Sequence, residues 1–334
     1  MESKGNLRDP LSTPWFDGHG GPSYNGVRLA RKHKKDATRI GCVKLFLTSP
    51  TGHFYRSFLR LGLEIGRYES YVFADGERGF RLKTGVKGDR VGIIGSILPS
   101  PETLFELMAV NRLTLDNGAD QITLVVPYLG YARQDRPCRP GEGSIGVMVA
   151  ELIRNMKPSR LFLVDVHSSA ILKSLGRTAT EISALPLFAN ALKRDVPDVI
   201  VSPDRGSVGR AEQLANLFRP RPQVGTIDKV RPYPNVAVAK RLRGDVRGKK
   251  VLIVDDIIDT GGTLSEAVKL VSQNGSRSIR LAATHGIFSD DARDRLSLLP
   301  VEEIVVTNTL RQIRHPKIRI LDIVPAILER IRQT

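Results

Sequence analysis

Thirteen residues carry the clearest chemistry in this sequence: Val251-Leu252-Ile253-Val254-Asp255-Asp256-Ile257-Ile258-Asp259-Thr260-Gly261-Gly262-Thr263. An apolar, β-branched run leads into two adjacent carboxylates, then a turn of small residues, then a helical pattern. Gly261 and Gly262 let the backbone approach a phosphate closely. Thr260 and Thr263 add hydroxyls, and a helix opening there adds free N–H groups and the positive end of its dipole. Asp255 and Asp256 cannot hold a phosphate directly. They suit sugar hydroxyls or metal-bound water, so carboxylates beside a phosphate cradle indicate a phosphorylated sugar. The plain alternative is a glycine turn after a strand, which leaves this order of residues unexplained.

Five other segments have chemistry-bearing residues and a bland reading each. Val126-Pro127-Tyr128-Leu129-Gly130-Tyr131-Ala132-Arg133-Gln134-Asp135-Arg136 follows an apolar run. The Arg133 guanidinium offers a planar fork to phosphate oxygens and Gln134 offers both donor and acceptor, although a basic surface turn reads the same way. In Tyr71-Val72-Phe73-Ala74-Asp75-Gly76-Glu77 the Asp-Gly pair is first of all a hairpin signal. His167 stands at the carboxyl end of a buried strand, and Asp204 follows the next strand in the position of a helix cap. Lys229 and Arg231 lie in a basic stretch that alone reads as an exposed loop. No Walker A spacing is present, since residues 244–250 lack the required spacing and the Ser/Thr.

These segments need elements to hold them. From Cys42 onward, short apolar runs alternate with helical patterns. Strands are expected at 42–47, 91–94, 122–126, 161–166, 199–201, 251–254, 279–283 and 304–306, apolar on both faces as in a parallel sheet covered by helices. Ser100-Pro101 opens a helix that Gly118 closes, with an apolar face through Leu104, Leu107, Met108 and Leu115. Residues 265–273 form another. The rhythm predicts an α/β fold of two doubly wound, mostly parallel-sheet domains, with a seam near Leu185-Pro186. Residues 1–40, rich in Gly, Pro, Asp, Asn and Lys, read as a flexible N-terminal tail.

The chain of 334 residues is 41% apolar and 26% charged, enough for a real core. No apolar run is long enough for a membrane span, and two cysteines without metal spacing fit a reducing cytoplasm. The net charge is +16, of which residues 1–40 supply four and the rest of the chain twelve. That surplus suits polyanionic small molecules; without zinc-finger spacing or a long Lys/Arg run, nucleic acid ranks well behind.

With these residues in view, the 251–263 stretch resembles the phosphoribosyl-diphosphate loop of the type I phosphoribosyltransferase fold. Residues 126–136 look like the PYxxYARQDR signature of ribose-phosphate diphosphokinases. Residues 71–77 are similar to that family's F-x-D-G-E element, and 227–235 to its flexible catalytic loop. The resemblance spans roughly Cys42 to the C-terminus. It implies phosphoribosyltransferase-like domains at 41–185 (ATP side) and 186–334 (ribose 5-phosphate side), and diphosphate transfer from ATP to ribose 5-phosphate. It implies Arg133, Gln134, Phe73, Asp75 and Glu77 at ATP, the last three reaching in from a neighbouring subunit of a homo-oligomer. There Phe73 can stack on a purine and Glu77 can accept from its amino group. It further implies Asp255, Asp256, Asp259, Thr260, Gly261, Gly262 and Thr263 at ribose 5-phosphate, Mg²⁺ at His167 and Asp204, and Lys229 and Arg231 as the catalytic cations. No residue presents itself as a general base. Arg205, Ser207, Val230 and residues 137–146 and 170–183 depart from the family pattern, which leaves regulation open. Three competing readings remain: a transferase that consumes phosphoribosyl diphosphate, a non-catalytic regulatory relative, and a basic nucleic-acid-binding regulator on this fold.

Overall fold

The computed structural model describes residues 43–230 and 239–332. The expected tail, Cys42 and Arg231 lie outside these residues, as does the side chain of Lys229.

The first half builds strands β1 (Val43–Leu47), β2 (Glu64–Ile65), β3 (Tyr68–Val72), β4 (Arg78–Leu82), β5 (Arg90–Ile94), β6 (Gln121–Val126), β7 (Arg160–Val164) and β8 (Ala179–Ile182). Helices α1 (Tyr55–Arg60), α2 (Pro101–Asp116), α3 (Ile145–Asn155) and α4 (Ser169–Leu175) lie between them, and α5 (Leu185–Leu192) leads onward. The second half contains β9 (Val199–Ser202), α6 (Val208–Ala215), β10 (Gln223–Val230), β11 (Ala239–Arg243), β12 (Lys250–Ile258) and α7 (Gly262–Gln273). It continues through β13 (Ser278–Gly286), α8 (Ala292–Ser297), β14 (Glu303–Thr307), β15 (Ile318–Leu321) and α9 (Val324–Arg332).

Two sheets result. One runs β2-β1-β5-β6-β7-β8, wholly parallel; the other runs β11-β10-β9-β12-β13-β14-β15, parallel except for β10 against β11. β3 and β4 form a separate antiparallel hairpin around Asp75-Gly76, with Gly76 at φ +92°. In the second sheet the chain steps outward from β9 through β10 to β11, then returns to place β12 on the other side of β9. The β9/β12 boundary is therefore a topological switch point, the crevice where open α/β sheets bind ligands.

The two sheets share buried apolar packing. One cluster joins Val125 and Phe162 of the first sheet through Phe188 of α5 to Ile200, Leu252 and Val305 of the second. The expected seam at Leu185-Pro186 thus opens a helix that packs on both sheets. Polar contacts join them as well. Ser96 Oγ donates to the Thr309 carbonyl at 3.1 Å, and Thr284 Oγ1 donates to the Asp165 carboxylate.

Three expectations need revision. The buried face of α2 runs through Thr103, Glu106, Leu107, Val110, Asn111 and Thr114, while Leu115 is 43% exposed. Glu106 is turned inward because it accepts hydrogen bonds from Tyr68 and Ser49, a partnership that apolar periodicity does not register. β7 stops at Val164 rather than 166, because Asp165 takes φ +37°. β12 runs on to Ile258 rather than ending at 254, so Asp255 and Asp256 are themselves strand residues. Among the described residues no helix is long and apolar enough to cross a membrane.

Candidate active site at the carboxyl ends of the strands

A cleft of about 810 Å³ opens at the switch point. Its floor is the end of β12 and the turn into α7. Asp255, Asp256, Asp259, Thr260, Gly261, Gly262 and Thr263 all line it, and α7 begins at Gly262 with its N-terminus facing in. Glycine is favoured at 261 on two counts. Its φ is +75°, and a Cβ there would stand 3.1 Å from Leu296 Cγ. The second wall is the loop after β9, where Asp204 lines the cleft. Asp204 Oδ1 accepts from the Ser207 backbone N–H at 3.0 Å, and Ser207 Oγ donates to Asp255 Oδ1 at 2.8 Å.

The first sheet supplies the third wall. The loop after β6 carries Arg133, which forms an ion pair with Asp259 of the second sheet. The loop after β7 carries His167, whose Nδ1 lies 2.5 Å from Asp256 Oδ2. Ser168 Oγ donates to Asp135 Oδ2 at 2.7 Å and ties these two loops together. α3 packs closely beneath the Arg133 loop: a Cβ on Gly146 would come 2.7 Å from the Tyr131 carbonyl oxygen. Thus a residue expected at ATP meets one expected at the sugar phosphate. Likewise a residue expected at metal meets one expected at the sugar hydroxyls.

Charge is arranged unevenly across the floor. Burial, reinforced by the adjacent Asp256 carboxylate, pushes Asp255 up to about 7. Burial acts on Asp256 in the same direction. The hydrogen bond and positive charge of His167, with Arg210 nearby, outweigh it and hold Asp256 below the ordinary carboxylate range. His167 is raised in turn, mainly by that bond and against its own burial. Asp259 is lowered despite burial because Ser289 and Arg133 donate to it. The floor therefore presents one firmly ionised carboxylate beside one that holds a proton more readily.

Not every expected residue reaches the cleft. Gln134 lines a smaller adjoining pocket of about 280 Å³ with Arg133, Arg136, Cys138 and Glu142. Phe73, Asp75 and Glu77 sit at the tip of the β3–β4 hairpin, exposed and absent from the cleft lining. Asp75 Oδ1 accepts from the Glu77 backbone N–H, an ordinary turn bond. The Lys229 backbone pairs with Lys240 of β11, one residue before the end of β10.

The cleft also holds residues that sequence reasoning passed over. Arg210, in the first turn of α6, reaches across to Asp165 at 3.3 Å with only 17% of its side chain exposed. Glu181 of β8 lines the wall, raised chiefly by burial, while it accepts from the Val166 backbone N–H at 2.6 Å. Only the helical offset between Ser207 and Arg210 hinted at the first. Nothing local to the sequence marked the second.

Comparison with known proteins fits this geometry. Residues 57–156 match the model of the N-terminal domain of ribose phosphate pyrophosphokinase, and residues 171–309 match the phosphoribosyl transferase domain. The chain is 37% identical to the ribose-phosphate pyrophosphokinase of Aquifex aeolicus, over 82% of this chain and 89% of that one. It is 34% identical to that of Bacillus caldolyticus, over 81% and 87%. The crystal structure of phosphoribosylpyrophosphate synthetase from Mycobacterium smegmatis superposes with a TM-score of 0.79 at 30% identity, covering 87% of this chain and 97% of that chain. With the two family models matching residues 57–156 and 171–309 and relatives above 30% identical over about four fifths of its length, the chain belongs to the ribose-phosphate pyrophosphokinase family.

Proposed function

We propose how the residues of this chain divide the work of a ribose-phosphate pyrophosphokinase, which moves the β,γ-diphosphate of ATP to the anomeric hydroxyl of ribose 5-phosphate and releases AMP. The observation that carries the reading is the meeting of Arg133 and His167 with the 255–263 loop inside one cleft. A transferase that only consumes phosphoribosyl diphosphate needs that loop but has no use for an ATP-facing arginine.

The 5-phosphate sits on the backbone N–H groups at the start of α7 and the hydroxyls of Thr260 and Thr263. Asp255 and Asp256 accept from the ribose hydroxyls. ATP lies along Arg133 and Gln134, with Phe73, Asp75 and Glu77 coming from a neighbouring subunit of a homo-oligomer. The exposure of the hairpin tip supports that last assignment. Lys229 and Arg231 close over the diphosphate and stabilise its charge as the anomeric oxygen attacks the β-phosphorus in line.

The donor set suits Mg²⁺. Among the described residues no three His, Cys, Asp or Glu side chains group into a ready-made cage. Mg²⁺ uses one or two carboxylates together with substrate phosphates and water, and Asp204, Asp255 and Asp256 all line the cleft as oxygen donors. Asp204 and His167 would hold it, His167 the less usual ligand for so hard an ion. Bound there, Mg²⁺ supplies positive charge to the diphosphate oxygens. Our reading divides the chain into domains at 41–185 and 186–334 following residues 1–40, and the low cysteine content supports a cytoplasmic location.

The test is direct. Purified protein with Mg²⁺, ATP and ribose 5-phosphate yields stoichiometric AMP and phosphoribosyl diphosphate without ADP. Ligand binding without product points instead to the non-catalytic regulatory relative.

A further inference from the structure

Arg205 stands out as a departure in the Asp204 loop, and the structure gives it a partner far along the chain. Asp204 and Gly206 line the cleft, but Arg205 does not. Its side chain turns away, and Nε donates to Asp228 Oδ1 at 2.9 Å. Arg243 of β11 donates to the other oxygen of the same carboxylate. Asp228 is 2% exposed, whereas the two arginine side chains are 76% and 62% exposed. A buried carboxylate is thus held between two guanidiniums that cover it from outside.

The position of this pair along β10 gives it a role. The ladder between β9 and β10 runs from Val199↔Gln223 to Ser202↔Thr226 and stops where β9 ends. From Ile227 onward β10 keeps its ladder only on the β11 side. Arg205, three residues past the end of β9, continues the tie two residues past the end of the ladder. The residue it grips immediately precedes Lys229. The same short loop therefore carries Asp204 into the cleft and anchors the strand that delivers Lys229.

We propose that Arg205 is a positioning residue: through Asp228 it fixes Lys229 relative to Asp204, so that both meet the diphosphate in transfer. This rests on the assignment of Lys229 as a catalytic cation. Charge-assisted hydrogen bonds from two arginines to one buried carboxylate make a stiff connection. Misplacing a catalytic group by about an ångström costs up to roughly a hundredfold in rate with little effect on ground-state binding.

The experiment compares Arg205→Ala, Arg205→Lys, Asp228→Asn, the double variant Arg205→Ala/Asp228→Asn, and Lys229→Ala. Each is measured for kcat, for KM with ATP and with ribose 5-phosphate, and for Tm. Arg205→Ala should lower kcat by about tenfold while both KM values stay within about twofold. Because the Arg205 side chain is mostly exposed, Tm should move by no more than a few degrees. Arg205→Lys keeps the charge and should recover part of the loss. The double variant should be no worse than Asp228→Asn alone, as expected for two residues acting through one contact. If Asp228→Asn does not fold, the two Arg205 variants and Lys229→Ala decide the matter. Unchanged turnover in Arg205→Ala, with Lys229→Ala down at least about a hundredfold, would sink the positioning role and leave the active-site assignment standing. Losses in the single variants that multiply in the double would also overturn it, as would a loss that follows Tm and is not relieved by lysine. Wild-type turnover in Lys229→Ala would bring down both.

Discussion

The β12–α7 turn and the tip of the β3–β4 hairpin both carry residues suited to ligands, yet the protein treats them in opposite ways. The turn follows the middle strand of a seven-stranded sheet, with Asp256 of that strand 7% exposed and Gly261 against Leu296. The hairpin belongs to neither large sheet, and its Val72 and Phe73 are 64% and 51% exposed. A site built on strand ends has its geometry fixed by packing before any ligand arrives. Side chains on a two-stranded ribbon gain fixed geometry only from something that packs against them. The contrast separates residues whose loss should damage chemistry from residues whose loss should damage recognition.

The sharpest break in that comparison is at Asp256. Asp256→Asn keeps the shape but removes the charge that His167 and the sugar hydroxyls are proposed to use. Turnover should fall by about 10²–10³, with the fold retained, as judged by kcat and circular dichroism. A fall under about threefold would show that the buried floor is structural only.

Arg133 lies between the two regimes, since it reaches from the first sheet to Asp259 and its side chain is half exposed. Arg133→Ala should raise the KM for ATP by about tenfold or more. It should alter the KM for ribose 5-phosphate less, and initial rates against each substrate read out the split. An equal rise in both would mean that Arg133 serves chiefly to hold the phosphate loop through Asp259.

Gly261→Ala sharpens the same contrast from the backbone side. A left-handed φ costs a residue with a side chain about 1–2 kcal/mol, and the added Cβ presses on Leu296. Tm should drop by several degrees and the affinity for ribose 5-phosphate by several-fold, the latter measured by calorimetry. Gly76→Ala, equally left-handed at φ +92° but with no atom near its Cβ, should lower Tm less.

What the sequence made legible follows the same division. Residues whose role is set by the local chain were readable. The apolar runs of β5, β6, β9, β13 and β14 fall where expected, and so does the glycine turn after β12, because a buried parallel strand and a helix-opening glycine each leave a local signature. Residues whose role depends on a distant partner were not. Glu106 is buried by Tyr68, Arg210 by Asp165 and Asp228 by Arg205 and Arg243. Each pair is separated by tens of residues or by a change of element, and nothing near either member announces the other. Arg133, His167, Asp204 and the 255–263 residues that line the cleft each had a local signature, whereas Arg210 and Glu181 beside them had none. The contacts of Arg133 with Asp259 and of His167 with Asp256, which make one cleft of those residues, became visible only in three dimensions.

The hairpin offers the smallest effect and the most specific one. Tyr71 and Phe73 stack edge to face with ring centroids 5.1 Å apart, so Phe73 is presented on an aromatic support rather than left free. Because half of it stays exposed and it packs into no core cluster, Phe73→Ala should leave Tm within about a degree or two. Loss of an aromatic face for a purine should raise the KM for ATP by roughly five- to tenfold, with kcat nearly unchanged at saturation. If Phe73 serves a neighbouring subunit, mixing Phe73→Ala with Lys229→Ala should restore activity above the sum of the two separate proteins when ATP is held well below the wild-type KM. One kind of mixed interface then pairs an intact lysine with an intact phenylalanine. Absence of that complementation, with subunit exchange shown independently, would return Phe73 to its own chain's site. It would also require the hairpin to fold inward when ATP binds.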